Sequence, residues 1–132
     1  MKPSTESARR GEVWLVALGA ARAGEIGKNR PALIMSVDWI GTGDPKEPVI
    51  VVPFTCSRAP SPLRPRAPVE IGLEVESVAL CRAVRSVARA RLLKNLGDAP
   101  TDYVDQVAAL VSAMIGGPRD TAAVPPPTNS DR

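Results

Sequence analysis

Two short segments of the chain combine a strongly apolar run with one polar residue at its end. In the first, Arg30 stands directly before the apolar run that begins at Pro31. In the second, the apolar run that begins at Val49 ends at Thr55. A guanidinium is a planar cation that suits a phosphate, and a hydroxyl can donate a hydrogen bond to the same group. If the two runs are neighbouring strands, these two side chains converge on one phosphate.

The segment that precedes Arg30 adds a carboxylate and further cations. Residues 19–30 contain several glycines, one glutamate, Glu25, and three cations, Arg22, Lys28 and Arg30. Because the chain has no histidine, a general base for phosphodiester cleavage must be another group, and Glu25 is a candidate. By residue type alone such a segment is usually an ordinary hairpin loop, and that interpretation stays open at this point.

Positive charge is concentrated in the middle of the chain. The formal net charge is +3, but residues 58–94 hold seven arginines and one lysine against three glutamates. Arginine dominates this cluster, and its planar fork suits phosphate or carboxylate groups. A solvated basic face would show the same charges, so charge alone leaves both a polyanion partner and an ordinary surface open.

Length and composition predict one folded domain with two flexible ends. The 132 residues suffice for one modest core. We predict a flexible N-terminus over residues 1–8, a folded domain over residues 9–116 and a disordered, proline-rich tail over residues 117–132, which has too little apolar surface to offset its ordering entropy. No signal peptide and no run of about 18 apolar residues is visible, so we expect a cytoplasmic protein without membrane contact.

The two cysteines indicate neither a disulfide nor a metal site. Cys56 and Cys81 are single cysteines in apolar surroundings, without a CxxC pair and without any histidine in the chain. Such residues are usually buried, reduced thiols. We therefore expect both thiols to be buried, and we expect no metal and no cofactor.

Hydrophobic periodicity predicts mainly strands. Residues 13–18, 31–37 and 49–54 are apolar on both faces, which predicts strands buried on two sides. A shorter, half-exposed strand is predicted at residues 69–71, and a strand pair or one long bent strand at residues 75–87. Short strands joined by glycine- and proline-rich loops are typical of a small barrel.

The C-terminal part of the domain changes to helical spacing. Apolar residues from Val104 to Ile115 recur at helical intervals, with Asp98 or Thr101 as the candidate N-cap and glycines at 116 and 117 as a stop. Asp102 would lie near the positive end of the helix. One amphipathic helix is therefore expected to pack on the barrel. A short helical turn over residues 88–96 is a further prediction.

Four segments in a fixed order resemble the MazF/PemK (Kid-like) toxins of bacterial type II toxin–antitoxin systems. They read RGEVWLV at residues 10–16, RPALI at 30–34, VPFT at 52–55, and SVALC followed by VRSV within residues 77–87. The resemblance extends over residues 9–116. It implies an SH3-like small β-barrel of the CcdB/MazF/Kid type, mainly β with a C-terminal amphipathic helix, that acts as a homodimer.

The resemblance also implies an activity and partners. Members of the family are endoribonucleases, or mRNA interferases, that cleave single-stranded RNA at short sequences without metal. Attack by the 2′-hydroxyl leaves a 2′,3′-cyclic phosphate and a 5′-hydroxyl. Messenger RNA is the expected target, with transfer or ribosomal RNA as alternatives. A cognate antitoxin is expected to lay a segment of acidic and apolar residues across the RNA groove.

The motifs assign roles to individual residues by the same resemblance. Arg30 matches the family's catalytic arginine and Thr55 its catalytic threonine, while Glu25 matches a glutamate that some members are thought to use as the base. The chain departs from the family at Arg82 and Ala83, where an acidic residue followed by a polar one is common. The acid–base chemistry that Kid-type members perform with an aspartate at this position is therefore excluded here, and we expect Arg82 to add a cation to the groove instead.

Further RNA contacts are predicted mostly from charge. The long loop 56–68 contains four prolines after Pro53, which stiffen it without ordering it fully. Trp39 is a candidate for stacking on an unpaired base, although core or dimer packing is the commoner role for such a tryptophan. The RNA-binding candidates are Lys28, Trp39, Ser57, Arg58, Arg64, Arg66, Arg82 and Arg85.

Two alternative functions remain at the sequence level. A CcdB-like toxin on the same barrel would poison gyrase by binding a protein, using exposed residues at the end of its C-terminal helix, and would not need Arg30 or Thr55. The sequence Met114-Ile115-Gly116-Gly117 at that point does not favour it. An inactive relative that keeps RNA or antitoxin binding would be compatible with the departure at Arg82.

Overall fold

Six strands and one C-terminal helix make up the part that this computed structural model describes, residues 8–19, 28–38 and 46–117. The strands are β1 (Glu12–Ala17), β2 (Asn29–Ile34), β3 (Pro48–Thr55), β4 (Val78–Ala79), β5 (Arg85–Ala88) and β6 (Leu92–Asp98), and the helix is α1 (Thr101–Met114). Three 3₁₀ turns lie in the connections, at Val69–Ile71, Cys81–Ala83 and Arg89–Arg91. No helix among these residues is long and apolar enough to cross a membrane.

The strands form one antiparallel sheet in the order β4-β3-β2-β1-β6, and β5 pairs with the first half of β3. Within the described residues β4 and β6 remain the two ends of the path, so the sheet is curled but is not a closed barrel. The predicted class, a mainly β fold of the MazF type with a C-terminal helix, is confirmed. The difference from a barrel is that the two end strands do not pair.

Both faces of the central strands are buried, as the apolar runs predict. On one face α1 contributes Tyr103, Val104 and Val107 to a core with Val13, Leu33, Val52 and Phe54. On the other face the core contains Trp14, Val16, Ala32, Ile34 and Val51, with Val87 of β5 and Leu92 of β6. Because successive side chains of a strand point to opposite faces, each central strand contributes to both cores. The middle of the sheet is therefore buried on both sides.

The helix begins differently from the prediction. Pro100 is the N-cap residue and no side chain caps the helix, whereas Asp98 lies in β6 and Thr101 is already helical. Proline has no N–H to satisfy, and its φ of −60° suits the position before a first turn. The helix ends as expected, since Gly116 adopts a positive φ of 79°.

Two local predictions are wrong. Residues 69–71 form a 3₁₀ turn instead of a half-exposed strand, because Gly72 reverses the chain directly after Ile71 with φ 79°. Of the predicted helical turn over 88–96, only the 3₁₀ turn Arg89–Arg91 forms, and from Leu92 the chain pairs with β1. Tertiary pairing with β1 therefore overrides the local preference. Of the two alternatives predicted for residues 75–87, two strands form instead of one long bent strand; they are β4 and β5, and each pairs with β3.

The prediction for the cysteines holds for one thiol only. Cys81 is fully buried in the core beneath α1, but Cys56 is exposed, because β3 ends at Thr55 and the chain turns outward there. Neither thiol forms a disulfide. Among the described residues no group of histidine, cysteine, aspartate or glutamate side chains could hold a metal ion. The predicted tail beyond residue 117 and the predicted flexible residues 1–7 lie outside the described residues.

Candidate active site

The register of the central strands brings Arg30 and Thr55 together. Strand β2 pairs with β3 from Ala32↔Pro53 to Ile34↔Val51. Continuing this register by two residues sets Arg30 opposite Thr55. Directly opposed residues of antiparallel strands lie on the same face, about 5 Å apart at Cβ. On this continued register the guanidinium and the hydroxyl start from adjacent positions, and Arg30 is half-buried.

Thr55 is shielded and is tied to the turn that follows it. Its exposed fraction is 2 %. Its Oγ1 accepts a hydrogen bond from the backbone N–H of Ser57 at 3.2 Å and lies 3.0 Å from the Ser57 hydroxyl. Ser57 itself is exposed. The two hydroxyls thus form one unit at the end of β3, with Ser57 on its outer side.

Lys28 stands at the mouth of the hairpin between β1 and β2. Its backbone N–H donates to the Gly19 carbonyl at 2.6 Å, and its own carbonyl accepts from Leu18 N–H at 3.0 Å. Lys28 has a positive φ of 67°, which is uncommon for a residue with a side chain. The side chain is exposed. A cation is therefore held two residues before Arg30, where the chain enters β2.

The loop 56–68 is more ordered than its prolines predict. Its backbone runs along β4 and the following turn, with bonds from Ala67 N–H to Ser77 O at 2.9 Å and from Ala79 N–H to Pro65 O at 3.0 Å. The Tyr103 hydroxyl of α1 also donates to Pro65 O, at 2.9 Å. Burial raises the pKa of Tyr103 well above its usual range, so this donor keeps its proton. The helix thereby holds the loop that carries the arginines.

The predicted arginines of this loop differ in their exposure and in the hydrogen bonds and ion pairs that they form within the protein. Arg58 is exposed. Arg64 is half-buried and uses its Nε–H for the Ala59 carbonyl at 2.8 Å. Arg66 is exposed and its guanidinium forms an ion pair with Glu76. The pairing of Arg66 was not predicted, because Glu76 lies ten residues further along the chain and only the docking of the loop on β4 brings the two together.

Two further arginines flank β3 on its other side. Arg82 is exposed on the 3₁₀ turn Cys81–Ala83. Arg85 begins β5 opposite Val51, and it is also exposed. Since Thr55 is four positions after Val51, an even offset, the two residues face the same side of β3. Arg85 therefore shares its face with Arg30 and Thr55, which the sequence pattern did not reveal because β5 follows β3 only after a long connection.

The predicted base and the predicted stacking residue lie outside the described residues. Glu25 belongs to residues 20–27, and Trp39 to residues 39–45. Their anchors are described: Gly19 and Lys28 bond to each other across the hairpin mouth, and Met35 N–H donates to Ile50 O at 2.8 Å just before the second segment. In the chain order, Glu25 lies in the connection between β1 and β2, and Trp39 lies in the connection between β2 and β3.

The described side chains around β3 include several cations and the hydrogen-bonded hydroxyls of Thr55 and Ser57, and together they are called the cationic face below. Arginines can hold a phosphate and neutralise charge that develops on it, and hydroxyls can donate hydrogen bonds to its oxygens. Hydrogen bonds from fixed donors cost little reorganisation during a reaction. Such a face suits binding of a phosphodiester backbone and displacement at phosphorus.

Several known proteins are similar to this chain in sequence or fold. Endoribonuclease MazF9 of Mycobacterium tuberculosis is 36% identical over 95 residues, which cover 67% of this chain and 80% of the relative. A crystal structure of MazF from Deinococcus radiodurans is similar with a TM-score of 0.70 at 26% identity, covering 83% of this chain and 96% of that chain. A MazE–MazF crystal structure from the same organism has a TM-score of 0.67 at 26% identity, covering 84% and 98%.

The match to a family of known toxins covers the whole described sheet and the helix. Residues 9–115 match the PemK-like, MazF-like toxins of type II toxin–antitoxin systems. This range contains the four sequence motifs, all six strands described and the helix α1. The chain belongs to the family of PemK-like, MazF-like toxins of type II toxin–antitoxin systems.

Proposed function

We propose that this toxin, an endoribonuclease by family, cleaves single-stranded RNA at short sequences without metal. The 2′-hydroxyl oxygen attacks the adjacent phosphorus as its proton passes to a base. The bond from phosphorus to the 5′ oxygen breaks, and that oxygen takes up a proton. The products are a 2′,3′-cyclic phosphate and a 5′-hydroxyl end.

Three residues carry the proposed reaction. Arg30 holds the scissile phosphate and neutralises the charge that builds up on it, and Thr55 supplies a hydrogen-bonding hydroxyl. Glu25 takes the proton from the 2′-hydroxyl. The observation that supports this assignment most directly is the β2–β3 register, whose continuation by two residues beyond Ala32↔Pro53 would set Arg30 opposite Thr55 at one end of this strand pair.

The remaining predicted contacts form the proposed RNA track. A single-stranded backbone bound by lysines and arginines releases counterions, so binding should weaken as salt is raised. The exposed or half-buried side chains around β3 support such a track, and Trp39 is proposed to stack on a base. The track comprises Lys28, Ser57, Arg58, Arg64, Arg66, Arg82 and Arg85.

As a toxin of a toxin–antitoxin system the chain has an antitoxin partner. We propose that an acidic and apolar segment of this antitoxin covers the cationic face and thereby blocks RNA. The MazE–MazF complex of Deinococcus radiodurans, at 26% identity to this chain, supports a direct toxin–antitoxin contact. We further propose that the toxin acts as a homodimer in the cytoplasm.

The test uses purified protein and a long unstructured RNA in the presence of a chelator. We expect discrete fragments whose 5′-hydroxyl ends map to one short sequence. Arg30→Ala should lower the cleavage rate by roughly 10²-fold or more, as expected for the loss of a charge-stabilising group. The thermal unfolding of this variant should stay close to that of the unchanged protein. A protein that cleaves none of many RNAs would overturn the proposal, and an active Arg30→Ala variant would show that another group holds the phosphate.

A further inference from the structure

The paired hydroxyls at the end of β3 differ sharply in exposure. Thr55 is 2 % exposed, whereas Ser57 is exposed, and their oxygens are 3.0 Å apart. A side chain that is nearly inaccessible is poorly placed to touch a large polyanion. A neighbouring hydroxyl on the outer side of the same pair can reach it.

The hydrogen bond from the Ser57 backbone to Thr55 favours one arrangement of the two hydroxyl protons. Thr55 Oγ1 already accepts the Ser57 N–H at 3.2 Å. Buried hydroxyls normally satisfy both their donor and their acceptor capacity. If the Thr55 O–H donates to Ser57 Oγ, Thr55 is satisfied entirely within the turn. Ser57 then accepts one hydrogen bond and keeps its own O–H for an external acceptor.

Such a chain of hydrogen bonds strengthens its outermost donor. When Thr55 donates to Ser57 Oγ, it polarises the Ser57 O–H and makes it a better donor to a phosphate oxygen. The chain also holds the serine rotor in one direction, which reduces reorganisation when the phosphate arrives. On the continued β2–β3 register, Arg30 lies opposite Thr55.

We propose that Ser57 is the catalytic hydroxyl that donates to the scissile phosphate, and that Thr55 is a positioning residue that orients it. This inference rests on the proposed ribonuclease function and refines it, because it moves the phosphate contact from the buried to the exposed hydroxyl. Arg58, the next residue and likewise exposed, lies on the same outer side of the turn.

The test compares single and double variants on a short RNA that contains one cleavage site, identified from the mapped 5′-hydroxyl ends. Ser57→Ala should lower kcat by roughly 10²-fold with little change in KM, the loss typical of one transition-state donor. Thr55→Val, which keeps the shape and removes the hydroxyl, should lower kcat by a smaller factor. The double variant should be no slower than Ser57→Ala, because the threonine acts only through the serine.

Two conservative variants and one control separate this role from a loss of structure. Ser57→Thr and Thr55→Ser each retain a hydroxyl and should restore most of kcat, whereas a purely structural effect would follow thermal unfolding instead. Ser112→Ala removes an exposed serine on α1 and should leave kcat unchanged.

The outcomes distinguish the inference from the function on which it rests. A Ser57→Ala protein with normal kcat, beside an inactive Thr55→Val, would overturn the inference and return the phosphate contact to Thr55. Multiplying losses in the double variant would overturn it too, since they would show two independent contacts. Failure of the unchanged protein to cleave any RNA would instead overturn the ribonuclease proposal itself.

Discussion

Lys28 holds a backbone conformation that few side chains adopt, at a point where the candidate site begins. Its φ is 67°, and its N–H and C=O both bond across the hairpin mouth, to Gly19 and from Leu18. A non-glycine residue in the left-handed region costs on the order of 1 kcal/mol and persists where the surrounding structure holds it. The strain sits two residues before Arg30, so it helps set the direction in which β2 starts.

Lys28→Asn separates the conformation of this residue from its charge. Asparagine adopts the left-handed region more readily, so the free energy of unfolding should be unchanged or slightly higher. RNA affinity should fall, and the slope of log affinity against log salt should decrease by about 0.7, the value for one lost phosphate contact with a single strand. Fluorescence titrations at several salt concentrations measure this slope.

The matched control is Lys94→Asn on the edge strand β6, where the lysine is also exposed. It removes the same charge from an end strand that is separated from β2 by β1. Its effect on the salt slope should therefore be smaller. Equal slopes for both variants would show that Lys28 contributes only to the general charge of the protein.

Sequence reasoning selects candidate site residues more readily than it predicts their geometry. Arg30 and Thr55 are predictable because an apolar run makes the polar residue at its end conspicuous. The burial of Thr55 and its bond to Ser57 are not, because they depend on how the chain turns after β3. Periodicity carries no information about such a turn.

At the level of elements, prediction follows burial. β1, β2 and β3 are recognisable because both of their faces are buried and their apolar runs are continuous. β6 is an end strand whose Leu93, Lys94 and Asn95 are exposed in succession, and its pairing with β1 contains register shifts. Its sequence therefore lacks a strand period, and only pairing with β1 makes it a strand.

The ion pair between Arg66 and Glu76 places a carboxylate on the basic loop. Both side chains are largely exposed, at 59% and 66%. Exposed pairs contribute about 0–1 kcal/mol, so an RNA phosphate can displace the carboxylate at little cost. The glutamate nevertheless competes with RNA for this guanidinium.

Glu76→Gln should therefore tighten RNA binding. Loss of a competing carboxylate worth up to about 1 kcal/mol corresponds to an increase in affinity of up to roughly fivefold. Glu74→Gln changes the same charge two residues earlier, also at an exposed position, and serves as the control. Binding is measured with Arg30→Ala in both proteins, so that cleavage does not interfere. Equal tightening by the two variants would mean that only overall charge matters.

Across the whole molecule, only one of the two cores described above contains titratable side chains. The core beneath α1 contains two titratable groups, Cys81 and Tyr103, which are 0% and 5% exposed. Burial raises the pKa of Cys81 to about 11. The pKa of Tyr103 is also raised, first by burial and then by the neighbouring Cys81. The packing between α1 and the sheet therefore includes two side chains that are buried in their protonated form.

Stability should consequently fall at alkaline pH. Above its ordinary pKa of 9.0 the Cys81 thiol ionises in the unfolded chain but stays protonated in the folded one until about pH 11. The free energy of unfolding therefore decreases between these values, by roughly 3 kcal/mol from this thiol. Tyr103 adds a loss in the same direction. Urea unfolding on either side of the thiol's ordinary pKa measures the change.

Cys81→Ala and Tyr103→Phe should each flatten this alkaline decrease while leaving a folded protein at neutral pH. An unaltered decrease in the double variant would assign it to other groups. A loss of RNA cleavage in Tyr103→Phe at neutral pH would further indicate that its bond to Pro65 helps to hold the basic loop in place.

The uneven exposure of the two thiols has a practical consequence. Cys56 is exposed between Thr55 and Ser57, whereas Cys81, the other cysteine of the chain, is buried. Thiol reagents select accessible groups, so a maleimide dye would attach at Cys56 alone in the folded protein. The native sequence therefore offers a single attachment point for an optical reporter one residue from each of the paired hydroxyls, and RNA or antitoxin arrival could be followed there without an engineered cysteine.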